Sequence, residues 1–148
     1  MVPSVQIHHT FIIQEDTMNF HTRKWVKPGD LNPNGTLFGG RLLEWIDEEA
    51  ALYTIVQLEN RHIVTKFISE INFIQAPVQG DIIEMGIAVV AFGKSSITLR
   101  CEVRNKMTRN KVLEIERIIM VNLGPNGKPA PHGKIKVEYV ADRIADSD

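Results

Sequence analysis

Hydrophobic and polar positions along the chain change period twice, from strand-like alternation to helical spacing and back again. Between Asn19 and Val26, Phe20, Thr22 and Lys24 alternate with Asn19, His21, Arg23 and Trp25. Pro28-Gly29-Asp30 closes the segment, which predicts a short strand. The stretch from His9 to Ile13 fits either an extended piece or a helical turn. Residues 30–36, Asp-Leu-Asn-Pro-Asn-Gly-Thr, concentrate turn formers and predict a loop. From Leu37 to Gln57 there is no proline, and Leu42, Leu43, Ile46, Ala50 and Tyr53 recur at helical spacing. This predicts one long helix, with Asn34 or Thr36 as its cap. Its second half, from Ala50 to Val56, is apolar nearly all round, so something is expected to wrap it on most sides.

The wrapping material comes from the rest of the chain. Residues 61–74, 81–92, 95–104 and 111–123 are rich in β-branched side chains with partial alternation, and short turns at 77–81, 92–94 and 105–110 separate them. Four antiparallel strands are expected there, ended by Gly124-Pro125-Asn126-Gly127. With the early strand, this predicts an α+β domain in which one buried helix packs on a curved antiparallel sheet of five to six strands. So small a sheet leaves edges exposed, and edge pairing between copies predicts a homodimer or a larger even assembly. The chain, 148 residues in all, has the size of a single domain, 1–148, with a loosely ordered tail from about Lys134.

Composition narrows the classes. A net charge of -1 offers no global positive field for nucleic acid or an anionic membrane. The one cysteine, Cys101, continues an alternation with Ile97, Leu99 and Val103, as a reduced, strand-buried thiol would. No apolar run approaches a membrane span, and residues 1–8 lack the pattern of a secretory signal, so the cytoplasm is the expected location. His62, His21 and the His8-His9 pair lack metal-ligand spacing, and no metal site is expected.

Two features of the helix bear on chemistry. Asp47 shares a helical face with Gly40, Leu43, Ala50, Ala51 and Thr54, a small and mainly apolar surface on which a carboxylate is costly unless it is used. It equally fits a solvated acidic face with Glu44, Glu48 and Glu49, and this spacing leaves both readings open. Gly39-Gly40 stands where a helix begins, where backbone N–H groups lack intrahelical acceptors and could receive an oxyanion. Plain close packing is the simpler explanation of a glycine pair. Gly93-Lys94-Ser95-Ser96 combines a cation, two hydroxyls and turn amides, a composition shared by phosphate cradles and ordinary hairpin tips.

The ordered string from Asn32 to Glu48, NPNGTLFGGRLLEWIDE, resembles the signature of the hotdog-fold acyl-CoA hydrolases, in particular the bacterial broad-specificity acyl-CoA thioesterases. The likeness continues through Val64-Thr65, Ile71-Asn72-Phe73, Val78-Gln79-Gly80-Asp81, Gly93 to Ser96 and Pro125 to Pro129, so it runs from about Phe20 to Pro129. The resemblance implies a hotdog fold and hydrolysis of fatty acyl-CoA to fatty acid and CoA, with no metal or redox cofactor. It makes Asp47 the general base or nucleophile, and Asn32 of a neighbouring subunit the group that positions water or carbonyl. The Gly40 amide, with Gly39, would hold the carbonyl oxygen. Lys94, Ser95 and Ser96 would bind CoA, with Arg61 and Thr65 as weaker candidates. Dimers, joined into tetramers or hexamers, are implied as well. Many relatives have His-Gly-Gly where this chain has Phe38-Gly39-Gly40, so no imidazole acts at position 38. A non-catalytic acyl-CoA-binding regulator of the same fold is the alternative. A hotdog dehydratase would usually want a histidine near the helix start.

Overall fold

The computed structural model describes residues 4–7, 10–13 and 18–138, with no side-chain detail for 4–7. The strands are β1 (Ser4–Ile7), β2 (Thr10–Ile13), β3 (Asn19–Trp25), β4 (Ile63–Ile68), β5 (Ile71–Phe73), β6 (Ile82–Phe92), β7 (Ser96–Asn105) and β8 (Lys111–Asn122). A 3-10 turn, Pro28–Asp30, and one helix, α1 (Gly39–Leu58), fall between β3 and β4. All strand pairs are antiparallel, in the order β1-β2-β6-β7-β8-β4, with β3 also on β6 and β5 also on β8. The α+β hotdog architecture expected from the sequence is therefore present, with more strands than the expected five to six: among the described residues the sheet has eight. Two of the additional strands are β1 and β2, which pair with each other and make Thr10–Ile13, the described part of the ambiguous stretch, extended chain. Another arises because 61–74 is two strands: the chain breaks at Ser69-Glu70, and β4 and β5 pair with successive parts of β8.

Alternation dictates the core. On β7, Ile97, Leu99, Cys101, Val103 and Asn105 are buried while their neighbours are half-exposed, as period-two geometry requires. The four apolar ones share a cluster with Leu42, Ile46 and Ala50 of α1, and Ile115, Ile118 and Met120 of β8 belong to it too. Burial, reinforced by Glu49 and Glu102, pushes the Cys101 thiol up to about 12.

Three expectations need correction. Helix α1 has Phe38 as its N-cap, with no side-chain cap; Thr36 is occupied within its own loop by Asn32. The helix is not wrapped on most sides within one chain, since Leu52 is exposed and Ala51, Ile55 and Val56 are half-buried. A single sheet covers one face of a helix, and the other apolar positions need cover from elsewhere. Finally, the chain beyond Lys134 is anchored as far as Glu138. The Gln57 side chain donates to the Glu138 carbonyl at 2.6 Å and accepts its N–H at 2.9 Å, and Val137 packs on the core. Residues 139–148, and the His8-His9 pair, lie outside the described residues.

The sheet also carries a charge cluster beside the turn at 105–110. Glu84 on β6 is buried and bonds Arg104 at 2.6 Å, with Lys106 at 3.7 Å and Arg23 at 3.9 Å. Arg104 also lies over the Phe20 ring at 3.7 Å, and Lys111 pairs with Glu114. Burial alone would raise the Glu84 pKa, but the Arg104 hydrogen bond and the three cations outweigh it and hold the carboxyl below its ordinary value. A depressed folded-state pKa stabilises above the unfolded value, and that stability disappears as pH falls through the folded value. Acid unfolding followed by circular dichroism should therefore lose part of its steepness below about pH 4.3 in Glu84→Gln, the ordinary glutamate value. An unchanged acid limb would show that the cluster contributes nothing to it.

Candidate active site

The loop before α1 is built by one side chain. Asn32 Oδ1 accepts from the Asn34 amide at 2.9 Å and the Thr36 amide at 3.1 Å, while its Nδ2 donates to Thr36 Oγ1 at 2.9 Å. The backbone closes the same turn, with Gly35 N–H donating to the Asn32 carbonyl at 3.0 Å and Gly35 at φ 78, a conformation that suits glycine. The Oδ1 of Asn32 is thus committed to the loop. Its Nδ2 has a second hydrogen for another acceptor.

The loop delivers the chain into α1 with open amides. The first helical bond runs from Leu42 N–H to the Phe38 carbonyl at 3.1 Å, which leaves the N–H groups of Gly39, Gly40 and Arg41 without intrahelical acceptors. A Cβ on Gly40 would meet nothing within 4 Å, whereas one on Gly39 would touch the Phe73 ring at 3.5 Å. Close packing within the chain therefore does not explain Gly40. Asn32, Gly39, Leu42, Phe73 and Ile74 line one cleft of about 380 Å³.

Asp47 lies two turns further along α1. Its Oδ1 accepts from Thr65 Oγ1 of β4 at 2.6 Å, and both residues are exposed. Of the two readings that the helical face left open, the enclosed carboxylate is not found within one chain. The cause is topological: β4 pairs with β8 on one side, and among the described residues no strand covers its other edge. Val64, Phe67, Phe73 and Ile74 are exposed along this same margin of the sheet. The resemblance puts Thr65 near the coenzyme; the structure places it on the carboxylate instead. Thr65→Val should lower kcat about tenfold with KM little changed, and Thr65→Ser should restore it, because a hydrogen bond to a charged group is lost and regained. Loss in Thr65→Ser with Thr65→Val unaffected would mean that the methyl group, rather than the hydroxyl, is what matters.

The remaining candidates sit at the opposite end of the sheet from Gly39. Gly93 N–H donates to the Ser96 carbonyl at 2.9 Å across the β6–β7 turn, and Asn122 N–H donates to the Ser95 carbonyl at 2.7 Å. The Ser96 hydroxyl turns toward Gly93, filling the space a Cβ there would need. Lys94 lines a cavity of about 350 Å³ with Phe11 and His132 to Ile135. Arg61, exposed, precedes His62, whose carbonyl accepts from Leu123 N–H at 2.9 Å at this same end. The structure thus forms three groups: Asn32 with Gly39-Gly40, Asp47 with Thr65, and the Lys94 turn near Arg61. No sequence signal couples Thr65 to Asp47. Among the described residues no helix is long and apolar enough to cross a membrane.

Comparison with known proteins identifies the family. Residues 34–111 match the family model described as the thioesterase superfamily. The chain is 30% identical over 116 residues to the uncharacterized acyl-CoA thioester hydrolase YkhA of Bacillus subtilis, covering 76% of this chain and 67% of that protein. It is 29% identical over 116 residues to the acyl-CoA thioester hydrolase YciA of Salmonella typhimurium, covering 74% and 86%. Among solved structures, the hexameric thioesterase y2039 from Yersinia pestis superposes with a TM-score of 0.72 at 28% identity, covering 78% of this chain and 95% of that one.

Proposed function

The chain belongs to the thioesterase superfamily, and from that premise we propose that it hydrolyses acyl-CoA to free fatty acid and CoA. The observation that carries the reading is the Asp47 carboxylate, held through one oxygen by Thr65 at 2.6 Å at an uncovered sheet margin. A bond to one oxygen leaves the other for a water proton or for the thioester carbon. As general base Asp47 would take a proton from attacking water; as nucleophile it would form an acyl anhydride that water then opens. In either case negative charge grows on the carbonyl oxygen, where the Gly39 and Gly40 amides would receive it. Collapse of the tetrahedral species expels CoA as thiolate. No metal or redox cofactor takes part. The names of YkhA and YciA support acyl-CoA as the substrate class.

The site is shared between chains. A reacting carbonyl must lie about 3 Å from both its attacking group and its amide donors. Seven residues of helical rise separate Gly40 from Asp47 by about 10 Å. One helix therefore does not supply both, and Gly39-Gly40 and Asn32 of one chain act opposite Asp47 and Thr65 of another. Asn32 serves through its Nδ2 hydrogen. Association along β4 would also cover the exposed apolar side chains there, and the hexameric y2039 supports a larger homo-oligomer. Lys94, Ser95 and Arg61 would hold the phosphates of CoA, with Ser96 keeping the turn in shape.

Thiol release across a panel of acyl-CoAs tests the function; no release from any of them would leave an acyl-CoA-binding regulator. Subunit mixing tests the shared site. Asp47→Asn and Asn32→Asp chains, each nearly inactive, should recover about a quarter of wild-type activity when unfolded together and reassembled, because half of the mixed dimers' sites are intact. Asn32→Asp keeps the loop's acceptor and loses the donor. A mixture no more active than its parents would return both halves of the site to one chain.

A further inference from the structure

After β8 the chain returns to the β6–β7 turn, where the carbonyls of three consecutive residues are taken up by the protein. His132 N–H donates to the Lys94 carbonyl at 3.2 Å, and Asn122 N–H donates to the Ser95 carbonyl at 2.7 Å. The Ser96 carbonyl accepts twice, from Gly93 N–H at 2.9 Å and from the His132 ring, whose Nε2 lies at 2.7 Å. One residue, His132, thus holds two of the three carbonyls.

Only one placement of the ring hydrogen satisfies both of its nitrogens. A carbonyl can only accept, so Nε2 carries the hydrogen toward Ser96; the Lys134 N–H can only donate, and at 2.9 Å it requires a bare Nδ1. The His132 tautomer is therefore set from both sides. The segment is anchored at its far end as well: Lys134 Nζ pairs with Glu59 at 2.8 Å just past α1, and Gln57 exchanges two bonds with Glu138. Residues 132–138 brace the turn against the end of the helix. Lys94 and His132 also border the same cavity of about 350 Å³, so the exposed cation and the brace share one opening.

A hairpin tip held by ladder bonds alone must be ordered when a ligand arrives, and that ordering subtracts from affinity. A tip whose carbonyls are already bonded avoids the loss. In a trans peptide the N–H points opposite to the carbonyl, so drawing the Lys94 carbonyl onto His132 turns the Ser95 amide away from the brace. We propose that His132 is a positioning residue for the coenzyme, holding the β6–β7 turn by the Lys94 and Ser96 carbonyls in the shape that receives the CoA phosphates. It touches no substrate itself and acts through Lys94 and Ser95, given the reading above that they hold those phosphates.

Kinetics with acyl-CoA and with acyl-pantetheine, which lacks the phosphates, separate positioning from plain structural support. His132→Leu should raise the KM for acyl-CoA about tenfold with kcat little changed, the scale of a lost hydrogen bond and lost pre-ordering. Its KM for acyl-pantetheine should not move. His132→Gln, which keeps an N–H for the Ser96 carbonyl, should bring the acyl-CoA KM back to within about threefold of wild type. An unchanged acyl-CoA KM in His132→Leu, an equal rise for acyl-pantetheine, or equal loss in the two variants would each refute this role. Nitrogen NMR of the wild-type histidine rings needs no variant. His132 should show the hydrogen on Nε2 with Nδ1 bare, and the Nε2–H signal should shift at saturating CoA; the opposite tautomer, or no shift, refutes the role equally. Lys94→Ala examines the underlying reading separately. If it leaves the acyl-CoA KM unchanged, the turn does not hold the phosphates and His132 has nothing to position; if it raises the KM while His132→Leu does not, the brace alone is refuted. CoA affinity by calorimetry repeats the comparison without turnover, so an inactive protein would not obscure the result.

Discussion

Asp47→Asn should lower thioester turnover by about 10²-fold or more, the scale at which general bases and nucleophiles contribute. The change is isosteric, and the new amide oxygen would still accept from Thr65, so the helix and its contact with β4 are retained. Thermal unfolding should therefore be nearly unaltered, because an exposed carboxylate carries little stability. What is removed is the negative charge that takes a proton or attacks carbon. A variant that kept full turnover would transfer the chemistry to another group and undo the reading of the β4 margin as a catalytic face. Intact folding with lost turnover separates this outcome from simple damage.

The largest effect on stability is expected at the far end of the same sheet. Phe92 ends β6 fully buried, its ring edge-on to His132 with centroids 6.0 Å apart. Phe92→Ala should cost about 3–5 kcal/mol, through lost apolar burial and the cavity left behind. Urea unfolding at fixed protein concentration reads this directly, since association would otherwise shift the midpoint. His132 also ties the C-terminal segment to the β6–β7 turn, its Nε2 2.7 Å from the Ser96 carbonyl and its Nδ1 accepting Lys134 N–H at 2.9 Å. Loss of the Phe92 ring should thus loosen this segment first, visible as faster amide exchange at Lys134. A midpoint within about 1 M urea of wild type, with normal m-value, would mean that the segment collapses into the space, contrary to the expected cost; the threshold corresponds to roughly 1–3 kcal/mol.

What the chain reveals on its own depends on how local each feature is. β7 is readable from Ile97, Leu99, Cys101 and Val103, because alternation is written within one strand. Helix α1 is readable from the absence of proline and the spacing of Leu42, Ile46 and Ala50. Its cap is not, because Asn32 competes for Thr36, a side-chain choice that spacing does not encode. The break at Ser69-Glu70 escapes for a related reason: both halves are β-formers, and what separates them is pairing with β8 more than forty residues later. The carboxylate site is legible as a residue and not as a setting. Asp47 can be singled out, but its partner Thr65 lies across a register shift between Thr65 and Phe67 against β8, and such a shift decides which side chains face the helix. The pairing of Arg104 and Lys106 escapes as well, because the Glu84 that reaches both is remote in sequence.

The sole cysteine has a practical consequence for measuring any of this. Reagents that colour on meeting a thiol attack through the thiolate, and Cys101 is sealed beneath the sheet with its proton held to about pH 12. Under native conditions near neutrality the polypeptide should remain silent to them, so the signal records liberated coenzyme alone. Unfolding uncovers one equivalent per chain, which turns the same reagent into a count of molecules that have lost their shape.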